Sequence, residues 1–351
     1  MKVDYIIVGF GLSGLSIAEH LETIGKTFMV YDIPSYSSSR VAGGVFNPVI
    51  LKRFTTPWNI EAFVDKAISF YNDLAVKLGN ADLVIDQPVL RRFDSVEEQN
   101  KWFEACDKPI LNRFLSDVLR NYKEDELNIP FKLGEVTNTG RIDLNNLLDA
   151  YISYLDRKNC YKNEEFNYDA LETDHCNIKY NGVESSHIIF AEGHRIVENP
   201  FFNYLPVLGN KGEYIVIKCP KLSMDFIFKS SIFIIPLGND MYKVGATFDR
   251  DDKSLNATTK AREEIKEKLS KVLNVDYEIV EQVAGIRPTV GDRKPIIGRH
   301  YEHINLYVFN GMGSRGILTA PLSAQWLIDF IEFKKNINPL VDAARFYKNT
   351  F

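Results

Sequence analysis

The feature that most constrains this chain is a short apolar run followed by Gly9, Gly11 and Gly14 at G-x-G-x-x-G spacing. In such a turn the first glycine permits a tight bend after a strand, the second leaves room for a pyrophosphate, and the third lets the next helix pack close to the sheet. The following helix directs free backbone N–H groups at the phosphates. A second apolar run ends at Asp32, 18 residues beyond Gly14, near the ~20 expected for a carboxylate that binds a ribose hydroxyl. The order of strand, turn, helix, strand and acid predicts a βαβ unit that binds an adenine dinucleotide.

The length and charge of the chain narrow the class of protein. A chain of 351 residues favours two domains over one. The 42 Lys and Arg against 47 Asp and Glu give a net charge of −5, which disfavours a dedicated nucleic-acid binder because such proteins are usually basic. No run of about 18 apolar residues occurs, so no membrane span is predicted. The first apolar run is also too short for the core of a signal peptide, so we expect a cytoplasmic protein. Neither the cysteines nor the histidines form a ligand pattern, and no metal site is predicted.

The order of predicted elements indicates an α/β protein in which an antiparallel part is inserted. Residues 33–59 are rich in Ser, Gly and Pro without periodicity and predict a long loop, whereas residues 60–79 predict an amphipathic helix. Asp143 is expected to cap a helix that runs to about residue 158. Short β runs between 206 and 248, separated by Pro, Gly and Asn, predict an antiparallel sheet. The predicted dinucleotide-binding domain comprises residues 1–59, 135–205 and 284–351, and the predicted second domain comprises residues 60–134 and 206–283.

Further segments, taken with the glycine turn, resemble one family in family order along nearly the whole chain. These segments are Gly140-Arg141-Ile142-Asp143, Ile189-Phe190-Ala191-Glu192-Gly193, Gly245-Ala246-Thr247-Phe248, Gly285-Ile286-Arg287-Pro288-Thr289 with Pro295-Ile296-Ile297-Gly298-Arg299-His300, and Gly311-Met312-Gly313-Ser314-Arg315-Gly316-Ile317. The chain resembles the FAD-dependent amine oxidoreductases of the D-amino-acid, glycine and sarcosine oxidase type. The resemblance implies a discontinuous Rossmann-like FAD-binding domain and an antiparallel-sheet α+β substrate domain. It also implies noncovalent FAD, because the 311–317 segment lacks the cysteine that covalent-flavin relatives carry there.

Two branches of that family are matched locally. Residues 285–288 with 297–300 look most like glycine oxidase, whereas residues 311–316 with 320–322 look more like the FAD domain of the bifunctional enzyme that modifies the wobble uridine of tRNA. The first branch implies oxidation of the C–N bond of a small amine or amino acid by hydride transfer to flavin N5, giving an imine, with O2 or another electron acceptor. The second implies the same chemistry on carboxymethylaminomethyl-uridine in tRNA, a partner that the net charge disfavours. A flavin-binding redox subunit without turnover is a further alternative.

The resemblance assigns five residues to the substrate side. Arg287 matches the family's anchor arginine in G-[LI]-R-P, and a planar, permanently charged guanidinium suits a substrate carboxylate; the alternative is a surface ion pair. Arg315 can face substrate, flavin or solvent. Phe233 and Phe248 stand where glycine oxidase has a tyrosine and a methionine, so they imply a more apolar pocket unless they are core residues. Lys243 stands where sarcosine oxidase has a lysine that activates oxygen, unless it is only a solvated strand residue.

The remaining expectations concern the cofactor. The 33–48 loop is expected to cover the pyrophosphate and the flavin, with Arg40 reaching phosphate, and the helix after Gly316 is expected to direct its N-terminus at the flavin N1–C2 carbonyl edge. The predicted cofactor-binding residues are Gly9, Phe10, Gly11, Leu12, Ser13, Gly14, Asp32, Arg40, Gly43, Gly44, Val45, Asn47, Gly193, Gly313, Ser314, Arg315, Gly316 and Ile317.

Overall fold

A computed structural model describes residues 1–122, 125–174 and 177–349. Within these ranges the chain forms seven α-helices and 18 β-strands. The helices are α1 (Leu12–Thr23), α2 (Ser38–Val41), α3 (Ile60–Leu78), α4 (Val96–Cys106), α5 (Leu144–Arg157), α6 (Thr259–Ser270) and α7 (Gly316–Phe333). The strands are β1 (Lys2–Val8), β2 (Phe28–Asp32), β3 (Val45–Phe46), β4 (Val84–Ile85), β5 (Val89–Arg92), β6 (Leu133–Val136), β7 (Gly140–Ile142), β8 (Tyr161–Asn163), β9 (Glu172–Thr173), β10 (Ile178–Tyr180), β11 (Val183–Phe190), β12 (Val207–Lys218), β13 (Ile227–Lys229), β14 (Phe233–Gly238), β15 (Met241–Gly245), β16 (Glu278–Val290), β17 (Ile296–Arg299) and β18 (Leu306–Asn310).

The first sheet brings strands from both halves of the chain together in the order β17-β18-β11-β1-β2-β8. Its four central pairings are parallel, β17 runs antiparallel to β18, and β10 pairs with β9 and the start of β11. Val8 at the end of β1 lies beside Tyr31 of β2 and Phe190 of β11. The carboxyl ends of these strands therefore meet at one edge, and ligands of open α/β sheets bind outside such an edge.

Both faces of this sheet are buried, which explains the uninterrupted apolar run of β1. Tyr5 and Ile7 point into a core that they share with α1, α3 and α7. Ile6 and Val8 point into a second core on the opposite face. None of the described helices combines the length and the apolar character needed to cross a bilayer.

The second sheet has the order β16-β12-β15-β14-β13-β5-β6, and only β13 and β5 pair in parallel. On one face, Phe228 packs with Ile265 and Leu269 of α6. On the other face, Ile227 and Ile235 belong to the core that contains α1 and α7, so this face is turned toward the first sheet. A small sheet of β3, β7 and β4 lies at the same junction.

The α/β class and the antiparallel sheet predicted from the sequence are confirmed, and the domain boundaries stay a prediction. The helix predicted over 60–79 is α3, and Asp143 caps α5 by accepting a hydrogen bond from Asn146 N at 3.3 Å. The prediction that 33–59 lacks regular structure is wrong in part. This segment contains α2 and β3, because α2 packs on β16 and α5 and β3 pairs with β7. These partners lie far away in sequence and leave no local signal.

Candidate active site

The glycine turn at the end of β1 is closely packed. Gly9 has φ +91°, and a Cβ at this position would lie 2.7 Å from Ala191 O at the end of β11. A Cβ at Gly14 would lie 2.1 Å from Gly9 O, so the absence of a side chain lets α1 rest directly on the turn. Gly11 precedes the first residue of α1 and, as a glycine, has no side chain that could cap the helix. Leu12 N donates to Ser39 Oγ at 3.1 Å, and the turn leaves the remaining N–H groups of the first helical turn available to an anion.

Asp32 lies at the end of β2 beside this turn. Its Oδ1 accepts a hydrogen bond from Phe10 N at 2.8 Å, and Tyr161 OH lies 3.4 Å from its Oδ2. Burial raises the pKa of Asp32, and the bond from Phe10 N opposes the shift. The orientation of the carboxylate is thus fixed, and its oxygens can still accept further hydrogen bonds. An acceptor for a ribose hydroxyl requires both properties.

A second acid, Glu192, lies at the end of β11 and was missed as a site residue. Tyr168 OH and Asn199 Nδ2, the latter at 2.8 Å, donate to its carboxylate. Burial raises the pKa of Glu192 to about 7, against the effect of these two hydrogen bonds. A sequence signal exists, because this acid stands between Ala191 and Gly193 in a segment that carries the family resemblance.

One cavity with a volume of about 1030 Å³ lies between the carboxyl edge of the first sheet and the inner face of the second. This volume is at the upper end of the roughly 300–1,000 Å³ usual for small-molecule pockets. Its walls include Gly9 and Asp32 from the first sheet and Tyr214 and Arg287 from the second. The cavity can hold an elongated ligand that reaches from the glycine turn to the second sheet.

Most predicted cofactor residues line this cavity. Those that do are Gly9, Phe10, Gly11, Leu12, Ser13, Asp32, Gly43, Gly44, Val45, Asn47, Gly193, Gly313, Ser314, Arg315, Gly316 and Ile317. Gly14 lies behind the turn, as its packing role requires. Arg40 is outside the lining, contrary to the expected reach toward phosphate, because its guanidinium pairs with Asp149 at 2.7 Å.

Arg287 lies on β16 with its guanidinium over Gly212 of the neighbouring strand β12. A Cβ at Gly212 would lie 2.0 Å from Nη2 of Arg287 and 2.3 Å from its Cζ. The nearest acceptors, Asn210 Oδ1 at 3.4 Å and Thr247 O at 3.5 Å, are at the limit of hydrogen bonding. No carboxylate within the described residues forms an ion pair with it. The guanidinium therefore lines the cavity with its strong donors largely unused.

Arg315 also lines the cavity, at the residue before α7. Burial and the nearby Arg293 lower its pKa. Among lining residues from 212 to 318, Lys229, Lys253, Arg287 and Arg315 are basic and none is acidic; the acidic lining residues all come from the first 198. The wall formed by residues 212–318 is therefore suited to an anionic ligand.

The other three predicted substrate residues differ in position. Phe233 is partly buried and lines the cavity, whereas Phe248 lines it with 63% of its surface exposed. Lys243 is not among the lining residues, since its Nζ lies 3.3 Å from Ala42 O and 5.3 Å from the centre of the Tyr214 ring. Burial lowers the pKa of Lys243 to about 8. Only Phe233 has the enclosed position expected of a pocket wall.

The strand beneath Arg287 is held by a buried charged network that the sequence alone does not predict. Lys211 and Glu213 flank Gly212, are 1% and 2% exposed, and lie 3.5 Å apart. Lys211 Nζ binds Asp252 Oδ2 at 2.6 Å, and Glu213 accepts from Thr258 N at 2.8 Å. These bonds fix the segment after β15 against β12, so the floor under Arg287 is rigid.

Comparison with known proteins agrees with this architecture. The family model described as FAD dependent oxidoreductase matches residues 4–330. Glycine oxidase from Geobacillus kaustophilus superposes with a TM-score of 0.79 at 17% identity over 98% of both chains. Iminodiacetate oxidase from Chelativorans sp. superposes with a TM-score of 0.75 at 17% identity over 96% of this chain and 97% of that one. At such identities these structures show the fold alone.

Curated relatives match a part of the chain. The tRNA 5-methylaminomethyl-2-thiouridine biosynthesis bifunctional protein of Campylobacter jejuni is 25% identical over 49% of this chain and 33% of its own length. The protein of the same name from Idiomarina loihiensis is 27% identical over 41% of this chain and 25% of its own length. The chain thus spans a quarter to a third of the length of these relatives.

The residues beside the glycine turn fit FAD. Ser37 Oγ lines the cavity and is buried without a hydrogen-bond partner among the described residues, and a Cβ on Gly11 would come within 2.8 Å of Ser39 Oγ. The turn and Ser37 would hold the pyrophosphate, and Asp32 would hold a ribose. With the family model matching almost the full length, the chain belongs to the FAD-dependent oxidoreductase family, and FAD is its cofactor.

Proposed function

We propose that this enzyme oxidises the C–N bond of an amine that carries a carboxylate, such as glycine, sarcosine or a D-amino acid, to an imine that then hydrolyses. The observation that carries the proposal is the Arg287 guanidinium, which lines the cavity without a carboxylate partner among the described residues. A guanidinium in that state favours bidentate binding of a carboxylate. The names of the superposed enzymes, glycine oxidase and iminodiacetate oxidase, refer to substrates of this kind.

The protein's part in this reaction is orientation and electrostatics, while FAD, when bound, supplies the hydride acceptor. Arg287 would fix the carboxylate and so direct the α-carbon. Hydride transfer needs the amine in its neutral form, and the basic wall of Lys229, Arg287 and Arg315 disfavours a protonated amine. Phe233 and Ile235 supply apolar surface that excludes water.

The test is anaerobic mixing of the holoenzyme with glycine, sarcosine, proline and D-amino acids while the flavin absorbance is followed. At least one of them should bleach the flavin, and Arg287→Ala should retain FAD but lose the reduction. Arg262→Ala is the matched control, because Arg262 lies on α6, donates a hydrogen bond to Gln282 and does not line the cavity. Normal reduction in Arg287→Ala refutes the anchor, and absence of bleaching both by these amines and by tRNA carrying carboxymethylaminomethyl-uridine favours a redox subunit without turnover.

A second candidate is oxidation of carboxymethylaminomethyl-uridine in tRNA. It is favoured by the curated relatives, which are named as tRNA-modifying enzymes, and by Arg315 in a loop that resembles theirs. The segment 248–255 at the exposed Phe248 carries three aspartates against Arg250 and Lys253, which weakens the case for a basic RNA-binding rim. Flavin reduction by tRNA carrying this nucleoside, with none by free amino acids, would select this candidate.

A further inference from the structure

Lys229 is a cavity residue that the proposed function leaves without a specific role. It ends the short strand β13, where Phe228 points to α6 and Ile227 points to the inner core. Alternation along the strand therefore places the Lys229 side chain on the inner face. Its Nζ lies 4.4 Å from the centre of the Phe233 ring, and both residues line the cavity.

The ammonium group has no carboxylate partner within the described residues, and its basic neighbours are already paired. Arg91 lies beside Lys229 on β5 and pairs with Glu98, and Lys268 of α6 pairs with Glu264. Burial, together with Arg91 and Lys268, lowers the pKa of Lys229 to about 7. Because an enclosed charge without a counter-ion is costly, a partly buried lysine that faces a cavity favours an anion beside it.

The sheet register gives the spacing between this ammonium and the anchor. Phe233 pairs with Gly245 and Gly245 pairs with Tyr214, so β14 and β12 are two strands apart. With a strand spacing of ~4.8 Å and a rise of ~3.4 Å per residue, an ammonium above Phe233 is roughly 12 Å from the Arg287 guanidinium, which lies over Gly212, two residues from Tyr214 on β12. Gly245 and Tyr214 both line the cavity between them, and the Tyr214 ring covers Gly245, where a Cβ would lie 2.7 Å from Tyr214 Cδ1.

We propose that Lys229 forms a second anionic subsite, so that the preferred substrate is an extended dianion whose amine-bearing carboxylate binds Arg287 and whose distal anionic group binds Lys229. The inference rests on the proposed function, because Arg287 is taken as the anchor of the first carboxylate. The shared chemistry is an anionic terminus, which a carboxylate or a phosphate can supply. Free glycine would fill only half of such a site.

Ligand binding tests this subsite without turnover. Straight-chain dicarboxylates from glutarate to suberate and monocarboxylates of equal length are titrated into the holoenzyme, and their Kd values are read from the perturbed flavin spectrum, at a pH below 7. The longer dicarboxylates should bind about tenfold or more tighter than their monocarboxylate partners, as expected for one charged hydrogen bond. Lys229→Met should abolish this difference, and Lys229→Arg should keep most of it. Lys218→Met, at the exposed end of β12, is the control.

The outcomes separate the subsite from the proposed function. Equal Kd values for dicarboxylates and monocarboxylates in the wild type would overturn the subsite, and this comparison needs no variant. An equal loss of affinity for both ligand series in Lys229→Met would also overturn it. A dicarboxylate advantage that Lys229→Met removes, without flavin reduction by any amine, keeps the subsite and refutes the proposed function. N-alkylglycines with a terminal carboxylate or a terminal phosphonate are then compared as reductants of the flavin. The compound that reduces it faster identifies the distal anion, and a faster rate than that of the uncharged N-alkylglycine supports the subsite in either case.

Discussion

The substitution Gly212→Ala perturbs the anchor without removing it. The new Cβ would lie 2.0 Å from Nη2 of Arg287 and 2.3 Å from its Cζ and Nη1. Ordinary contacts of this kind are about 3.5–4.0 Å, so the guanidinium has to move by roughly 1.5 Å. The side chain of Arg287 is long and ends in the cavity, so the movement costs the fold little.

The expected effect is therefore on substrate and not on stability. Displacement of a charged hydrogen-bond donor forfeits about 1.5–3 kcal/mol of binding, which is roughly a tenfold to 150-fold rise in the Kd of the carboxylate ligand. A misplacement of ~1 Å in a reacting complex can also slow the chemical step by about 10²-fold. The FAD content and the Tm should stay close to those of the wild type.

Anaerobic stopped-flow measurement of flavin reduction across substrate concentrations separates the Kd from the limiting rate. Gly291→Ala is a matched control, because a Cβ at Gly291 meets no atom within 4 Å and its backbone is not left-handed. If Gly212→Ala leaves both the Kd and the limiting rate at wild-type values, the guanidinium does not hold the substrate where we place it.

Three further substitutions probe other parts of the site. Gly14→Ala places a Cβ 2.1 Å from the backbone oxygen of Gly9, so it should lower the free energy of unfolding by about 1–3 kcal/mol and weaken the binding of FAD. A Tm and an FAD Kd equal to those of the wild type would contradict this close packing of the helix on the turn. Burial raises the pKa of Glu192 from 4.5 to about 7, so the folded state keeps a proton that the unfolded chain loses, and the free energy of unfolding should fall by at most roughly 3 kcal/mol as the pH rises from 4.5 to 7. Glu192→Gln should flatten that profile in thermal melts at saturating FAD; a parallel profile would show that Glu192 does not titrate there. Arg315→Gln should raise the Kd of anionic ligands about tenfold with FAD retained, and an unchanged Kd in spectral titrations would place Arg315 outside the anion site.

The sequence predicted those parts of the site that lie within one local motif. Gly9, Gly14 and Asp32 act through neighbours a few residues away or on the adjacent strand, so their spacing alone defines the turn. Arg287 could be predicted because a family motif surrounds it. The position of Gly212 beneath the Arg287 guanidinium could not be predicted. Gly212 lies 75 residues earlier, and only the pairing of β12 with β16 brings the two residues together.

Other residues were misplaced or missed for the same physical reason. Arg40 was expected at phosphate, but Asp149 on α5, 109 residues away, takes its guanidinium. Lys229 was overlooked because a three-residue strand shows too little alternation to indicate which face it presents. Glu192 was read as part of a strand end, because burial of a carboxylate depends on packing by Tyr168 and Asn199. A local sequence pattern thus predicts a binding motif. The ion-pair and hydrogen-bond partners of a charged side chain depend on the tertiary fold.

The most direct test compares flavin reduction by a carboxylate-bearing amine and by its amide, in the wild type and in Arg287→Ala. At limiting substrate, we expect the carboxylate compound to reduce the flavin of the wild type at least about tenfold faster than the amide does, as one charged hydrogen bond implies. Arg287→Ala, with FAD bound, should no longer distinguish the two compounds. An undiminished preference for the carboxylate in Arg287→Ala would contradict the claim that this guanidinium selects the substrate.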